Sequence, residues 1–160
     1  MPEVHLLVTC TKRKTRSPVP ALMLRSVQGE TIEKKAGVWL ERLRGRRAEA
    51  VPVQELYAGD HWSVVRSLAG ATTSSGTRVR VWVCSAGYGL LTWDSRIASY
   101  EATFTPGQPD SVACGDGARS VESANQTWWE LLASWAGPAP GMPRSVTALV
   151  GAFPRSYFLL

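Results

Sequence analysis

The chain has 160 residues, 44% of them hydrophobic and 19% charged, with 18 Lys and Arg against 13 Asp and Glu. This length suits one domain, and the apolar fraction excludes wholesale disorder. No apolar run approaches the roughly 18–20 residues of a membrane-spanning helix, and three cysteines with two histidines support neither a disulfide framework nor a four-ligand zinc site. We therefore expect one cytoplasmic domain over residues 1–160, without a metal or other cofactor.

The positive charge is concentrated at the start of the sequence. Residues 1–47 contain eleven Lys and Arg and four Glu, a net charge of +7, so the remaining residues carry −2. A basic segment in a domain of pI about 9.4 is typical of proteins that bind a polyanion. A solvated basic helix face is the alternative interpretation.

The first half of the chain alternates strand and helix patterns. Residues 3–10 (EVHLLVTC) predict a buried strand, and a basic loop follows it at residues 11–20. Apolar positions at helical spacing predict an amphipathic helix over residues 30–47, with a strongly basic end. Asp60 is the expected N-cap of a second helix, which ends before Gly70.

The second half contains the clearest strand pattern. Residues 77–84 (TRVRVWVC) alternate valine with arginine or tryptophan, which predicts a strand with one apolar face. A glycine loop follows at residues 85–91 and a Gly, Pro and Asp loop at residues 105–117, before a helix predicted over residues 118–136. Residues 145–150 (SVTALV) predict a third strand. The apolar end at residues 157–160 either docks on the domain or marks the chain as the N-terminal part of a longer protein.

This order of elements predicts an α/β layered domain with a small, mainly parallel sheet. In such sheets, ligands bind at the carboxyl ends of the strands. Two loops occupy that position: residues 9–15 offer hydroxyls, a thiol and cations, and residues 85–91 offer glycines and a tyrosine ring. The combination suits a nucleotide or nucleobase, and a plain tight turn is the alternative for the glycine loop.

Four sequence blocks carry a resemblance to a known family: VTCTKRK at 8–14, ELYAG at 55–59, SAGYGLL at 85–91 and IASYEATF at 97–104. In this order they resemble a family of bacterial and phage proteins similar to the peroxide-stress protein YaaA and, more distantly, to the uracil-DNA-glycosylase-like superfamily. The resemblance implies a three-layer α/β/α domain associated with DNA, modified bases or phage defence. The chain departs from the family pattern at Ser99, where a proline is usual, and lacks the Asp-Pro-Tyr and His-Pro-Ser motifs of uracil-DNA glycosylases.

Candidate site residues follow from the chemistry of glycosidic cleavage. Such an enzyme needs a carboxylate that orients water or stabilises an oxocarbenium-like sugar, and a pocket for the base. Asp94 and Glu101 are the predicted acids, and a loop cap or surface carboxylate is the alternative for each. The predicted ligand-binding residues lie in three loops: Cys10, Lys12, Lys14, Tyr57, Gly59, Ser85, Gly87, Tyr88 and Gly89. The predicted nucleic-acid contacts are Arg13, Arg42, Arg44, Arg46 and Arg47.

Three functions remain open at this point. The first is an enzyme that cleaves or transfers an N-glycosidic bond of a nucleotide or nucleic-acid base. The second is a module that binds nucleic acid, DNA first of all, or a nucleotide without turnover. The third is a subunit whose basic helix and tryptophans (Trp128, Trp129 and Trp135) contact a protein partner. No membrane partner is expected.

Overall fold

A computed structural model describes residues 3–113 and 119–160. The strands are β1 (Val4–Thr9), β2 (Val51–Pro52), β3 (Val79–Ser85), β4 (Gly89–Thr92), β5 (Arg96–Ile97) and β6 (Tyr157–Leu159). The helices are α1 (Ile32–Arg44), α2 (Val53–Leu56), α3 (Asp60–Leu68), α4 (Val121–Ser134) and α5 (Val146–Ala152). Residues 114–118, which hold the end of the loop predicted at 105–117 and the first residue of the helix predicted over 118–136, lie outside the described residues. In the described part of the chain, no helix is long and apolar enough to cross a membrane.

The main sheet has the strand order β4-β3-β1-β6 and confirms the predicted α/β class. β1 pairs in parallel with β3, from Val4 opposite Val79 to Thr9 opposite Cys84, and in parallel with β6. β4 returns antiparallel to β3 directly after the turn at residues 86–88. The two parallel strands β1 and β3 therefore end side by side, and the segments that follow them leave the same edge of the sheet.

Helices cover both faces of this sheet. Val8, Val81 and Val83 face a large core shared with α1, α3 and α4, whereas their neighbours in sequence, Leu7 and Trp82, face a smaller cluster that includes α5. This alternation is the two-residue period of a strand with two buried faces. In α1, buried positions recur at the spacing of one helix face: Ile32, Lys35, Ala36, Trp39, Leu40 and Leu43.

Three sequence expectations about elements are wrong. Residues 145–150 form most of helix α5 rather than a strand, because Ser145 caps the helix by accepting a hydrogen bond from the Ala148 amide. Asp60 is the first residue of α3, whose N-cap is Gly59 at φ 102°. The glycine loop is shorter than predicted, since Gly89 already begins β4. The tail does dock on the domain, as strand β6 beside β1.

The turn between β3 and β4 is held by indoles from two helices. The Trp39 Nε1 of α1 donates to the Gly87 carbonyl at 2.7 Å, and the Trp128 Nε1 of α4 donates to the Ala86 carbonyl at 2.8 Å. Gly87 lies so close to the Tyr100 ring that a Cβ atom there would be 2.5 Å from Cδ2. The turn is therefore locked between the α1–α4 layer and Tyr100.

We expect Gly87→Ala to lower the free energy of unfolding by about 1–3 kcal/mol, the usual cost of overpacking a core. The Tyr100 ring is fully buried and cannot swing away from an added methyl group. Gly37→Ala is the matched control: Gly37 is exposed within α1 and a Cβ there meets nothing within 4 Å, so stability should rise by about 0.5–1 kcal/mol. Urea denaturation measures both, and equal stabilities for the two variants would contradict the prediction.

Candidate functional site

A cleft of about 750 Å³ lies at the carboxyl ends of β1 and β3. One wall is the segment after β1, with Cys10, Lys12 and Lys14. The other walls come from the end of β3 and from two segments distant in sequence: Arg25, Cys84, Ala86, Tyr100, Glu101, Thr103, Phe104 and Asp110. The volume falls within the range of small-molecule sites, roughly 300–1,000 Å³.

The loop after β1 is fixed by backbone hydrogen bonds to the segment that joins α2 and α3. The Thr15 amide donates to the Leu56 carbonyl at 2.8 Å, and the Ala58 amide donates to the Arg13 carbonyl at 3.0 Å. The Thr11 hydroxyl also donates to the Ala58 carbonyl. Lys14 consequently forms an isolated β-bridge with Tyr57, which holds the lysine stem against the core.

Lys14 directs its amine into the cleft over two tyrosine rings. Its Nζ lies 4.6 Å from the centre of the Tyr100 ring and 5.8 Å from that of Tyr57, and it donates to the Lys12 carbonyl at 3.3 Å. Burial lowers the pKa of the Lys14 ammonium below its ordinary value, while the Glu101 carboxylate opposes that shift. The chain thus holds a partly desolvated cation at the floor of the cleft.

Beneath Lys14, three buried hydroxyls form a chain. The Tyr57 and Tyr100 hydroxyls are 2.9 Å apart, and the Ser85 Oγ is 2.7 Å from the Tyr100 hydroxyl. Ser85 also accepts hydrogen bonds from the amides of Gly87 and Tyr88. Burial raises the pKa values of Tyr57 and Tyr100, so both phenols stay protonated and act as neutral hydrogen-bonding groups.

The outer wall is fastened by an ion pair between Arg25 and Asp110. The buried Asp110 carboxylate accepts hydrogen bonds from the Arg25 amide at 2.9 Å and from its guanidinium Nε and Nη2. Burial alone would raise the pKa of Asp110, but the hydrogen bonds from Arg25 hold it below its ordinary value. Lys35 Nζ donates to the carbonyls of Ser111 and Val112, which anchors the same segment to α1.

Glu101 brings a second carboxylate to the cleft. Its backbone bridges to the segment that carries Arg25, because the Glu101 amide donates to the Leu22 carbonyl and the Leu24 amide donates to the Glu101 carbonyl, both at 2.9 Å. Its side chain is half-buried and lines the cleft. Glu101 is close enough to Lys14 and Arg25 to stabilise the charged form of each.

The structure brings together only part of the predicted ligand-binding set. Cys10, Lys12 and Lys14 line the cleft, and Tyr57 and Ser85 support it from below through Tyr100. The other predicted residues shape the backbone or the core. Gly59 caps α3, Gly87 packs on Tyr100, Gly89 begins β4 at φ 78°, and the buried Tyr88 hydroxyl accepts from the Ala98 amide at 3.0 Å.

The two predicted acids lie in different places. Glu101 lines the cleft, whereas Asp94 is exposed in the turn between β4 and β5 and accepts a hydrogen bond from the Gln54 amide group at 3.2 Å. Asp94 borders a separate groove of about 530 Å³ beside the start of β3. The structure therefore does not bring Asp94 to Lys14.

The arginines predicted to contact nucleic acid do not line the cleft. Arg13 and Arg44 are exposed, and Arg47 is exposed beside a smaller cavity. Arg42 donates to the Ala21 carbonyl at 2.9 Å and to Ser26, so it holds the segment that carries Arg25. Arg46 pairs with Glu49 at 3.0 Å. Arg42, Arg44, Arg46 and Arg47 thus form a basic surface at the end of α1, in which Arg42 and Arg46 are already bound to other groups of the chain, whereas Arg13 lies apart in the loop after β1.

Sequence reasoning missed Arg25 and Asp110, which come from segments without a motif. The sequence marks Tyr100 only as part of the block IASYEATF at 97–104, although its ring connects most of the site. In residues 3–113 and 119–160, no three His, Cys, Asp or Glu side chains lie close enough together to hold a metal ion.

Comparisons of the chain with protein-family models, with curated proteins and with solved structures found no match. The resemblance carried by the four sequence blocks therefore stays a prediction.

We expect Lys14→Met to be at least as stable as the wild type at neutral pH. The pKa of Lys14 is lower in the folded chain than its ordinary value of 10.5, so the folded chain binds the proton less tightly than the unfolded chain does. Below the folded pKa, the charged ammonium therefore lowers the free energy of unfolding. This destabilisation disappears as the pH rises from the folded pKa toward 10.5. The stability advantage of the variant should shrink over that window. Urea denaturation at a series of pH values measures this, with the exposed Lys12→Met as control, for which we expect less than about 0.5 kcal/mol of change. A Lys14→Met protein clearly less stable at neutral pH would make the ammonium a structural group.

Proposed function

We propose that the cleft binds a nucleotide unit of a nucleic acid and that the protein acts on or recognises its base. The observation that carries the proposal is the grouping of Lys12 and Lys14 at one cavity with the aromatic rings of Tyr100 and Phe104 in its wall. Phosphate oxygens are bound by such cations, and a base has the planar face that aromatic walls accept.

The charge balance of the cleft supports an anionic ligand. Asp110 is neutralised by Arg25, so it does not repel an anion. Lys12 and Lys14 then face the carboxylate of Glu101, and the exposed Arg13 adds a further positive charge beside them. Because Lys14 is partly desolvated, its attraction for a phosphate is screened less than that of a surface lysine.

The chemistry available for turnover centres on Glu101. Cleavage of an N-glycosidic bond needs a group that orients water or exchanges a proton at the leaving base. Glu101 lies in the wall next to Tyr100, the ring over which the Lys14 amine sits. In this proposal Lys14 holds the phosphate or the developing anion, and Glu101 is the acid–base group.

A second candidate function is recognition of the same nucleotide without turnover. The position of Asp94 favours it, since the second predicted acid lies outside the cleft and Asp110 is held by Arg25. The cleft then offers one carboxylate, Glu101, for proton exchange. An assay for base release separates the two candidates.

Binding is expected to be strongly salt-dependent. Each phosphate contact releases condensed counterions, so the slope of log affinity against log salt should become shallower by about one in Lys12→Ala and in Lys14→Met. Fluorescence anisotropy with a labelled single-stranded oligodeoxynucleotide measures the slope. Arg155→Ala is the control, because Arg155 is exposed after α5 and lines neither the cleft nor its walls. A salt-independent affinity, or no binding at micromolar protein, would contradict the proposal.

Glu101→Gln should abolish turnover and leave binding intact. Removal of a general acid–base group costs about 10²–10⁴-fold in rate, whereas the neutral amide removes a repulsive charge from the cleft. The measurement is chromatographic detection of free base released from single-stranded DNA that contains uracil, hypoxanthine or an alkylated purine. Asp94→Asn serves as the comparison and should keep the wild-type rate. Salt-dependent binding by a wild type that releases no base would select recognition without turnover.

A further inference from the structure

A second, smaller cavity of about 200 Å³ lies between the C-terminal ends of α1 and α4. Three arginines border it, Arg46 and Arg47 after α1 and Arg96 in β5. Tyr88 and Trp135 supply aromatic surface to its lining. It is lined by none of the residues that line the main cleft.

The positive charge at this cavity exceeds what nearby acids neutralise. Glu49 pairs with Arg46 at 3.0 Å. Arg96 donates from Nη2 to the Ala50 carbonyl at 2.8 Å, which fixes its side chain without cancelling its charge. Arg47 is exposed and, among the described residues, its guanidinium is in no hydrogen bond or ion pair. Two guanidinium charges are therefore left for an anion.

Trp135 is held in place as a stacking surface. Arg144 lies with its Cζ 5.7 Å from the centre of the Trp135 ring and donates from Nε to the Trp135 carbonyl at 3.1 Å. The guanidinium of Arg144 is itself fixed by hydrogen bonds to the carbonyls of Tyr88 and Leu90. The half-buried indole is thereby ordered before any ligand arrives, which lowers the entropic cost of stacking a base on it.

One extended segment connects the two cavities. Arg96 and Ala98 line the small cavity, and Tyr100 and Glu101 line the main cleft. Glu101 follows Arg96 by five positions, so their Cα atoms are at most about 18 Å apart. The segment is buried from Ile97 to Tyr100 and lies against the loop that carries the exposed Arg16, because the Ser99 hydroxyl donates to the Arg16 carbonyl at 2.6 Å.

From this arrangement we infer that the small cavity, about 200 Å³ in volume, holds the base of a second nucleotide while its phosphate lies outside at the exposed Arg47, so that the ligand is a single-stranded nucleic acid rather than a free mononucleotide. The inference rests on the proposed function and specifies its substrate class. The C-terminal ends of α1 and α4 carry partial negative charge toward the cavity, which weakens its attraction for a bare anion. Ring stacking on Trp135 together with the arginines favours a nucleotide over inorganic phosphate or an acidic peptide.

The test compares ligands that reach one or both cavities. Unlabelled thymidine monophosphate, an eight-residue oligothymidylate and an octaglutamate peptide compete with a fluorescent oligothymidylate at one fixed salt concentration. The variants are Arg47→Ala, Trp135→Leu and Lys14→Met, with Arg155→Ala as the charge-matched control. Far-UV circular dichroism and the urea midpoint show whether Trp135→Leu still folds, and Arg47→Ala carries the test if it does not.

We expect the oligothymidylate to bind the wild type at least tenfold more tightly than the monophosphate. Arg47→Ala should weaken oligothymidylate binding several-fold and Trp135→Leu about tenfold, and neither should change monophosphate binding. Lys14→Met should weaken both ligands. Wild-type affinity of Arg47→Ala and folded Trp135→Leu for the oligothymidylate would overturn the inference and leave the main cleft intact. Equal competition by octaglutamate would overturn it in favour of unspecific charge attraction, and failure of the wild type to bind either nucleotide ligand would overturn the proposed function as well.

Discussion

The buried ring of Tyr100 is the contact on which the candidate site depends. Its hydroxyl joins Tyr57 and Ser85, its face lies under the Lys14 amine, and its edge fills the space that the missing side chain of Gly87 leaves. Because an unpaired hydroxyl in the core would cost about 1–3 kcal/mol, the three hydroxyls hold three segments distant in sequence in one arrangement. Loss of this ring would release the floor of the cleft and the β3–β4 turn together.

The cleft contains a charged group, the Lys14 ammonium, whose burial lowers the stability of the folded chain. Lys14 is partly desolvated over aromatic rings, and its pKa is lowered by that burial. A hydrophobic residue of similar length would fill the same space without a desolvation cost. Asp110 differs from it, because its carboxylate is fully used in hydrogen bonds that fasten the wall. A costly amine in the same cleft as a satisfied carboxylate is the pattern expected where a group serves a ligand rather than stability.

The sequence predicted those parts of the fold whose signals are local. The alternating valines predict strand β3, and the helical spacing of apolar residues predicts helix α1. The loops after β1 and β3 meet at one edge of the sheet, as the parallel arrangement predicts. The strand predicted over residues 145–150 is wrong because a short apolar run fits a strand or a helix equally well. The N-cap at Ser145 favours the helix. The wall with Arg25 and Asp110 was out of reach, since an ion pair between positions 85 residues apart leaves no pattern in the sequence. The sequence also could not show which of the two predicted acids lines the cleft. Asp94 and Glu101 both follow the glycine loop closely, and only the folded structure places Glu101 in the cleft and Asp94 outside it.

The placement of the two carboxylates, Asp110 and Glu101, lets the cleft keep a positive charge and also hold a carboxylate that can exchange a proton. An acid facing two lysines would normally be neutralised by them and would weaken phosphate binding. Here Arg25 neutralises Asp110, and Lys14 is directed over the Tyr100 ring, with its hydrogen bond made to the Lys12 carbonyl. Glu101 therefore influences Lys14 electrostatically, with no ion pair between them among the described residues. Under the proposed function, a ligand phosphate would bind the Lys14 amine without first breaking an ion pair, and the Glu101 carboxylate would stay available to the base.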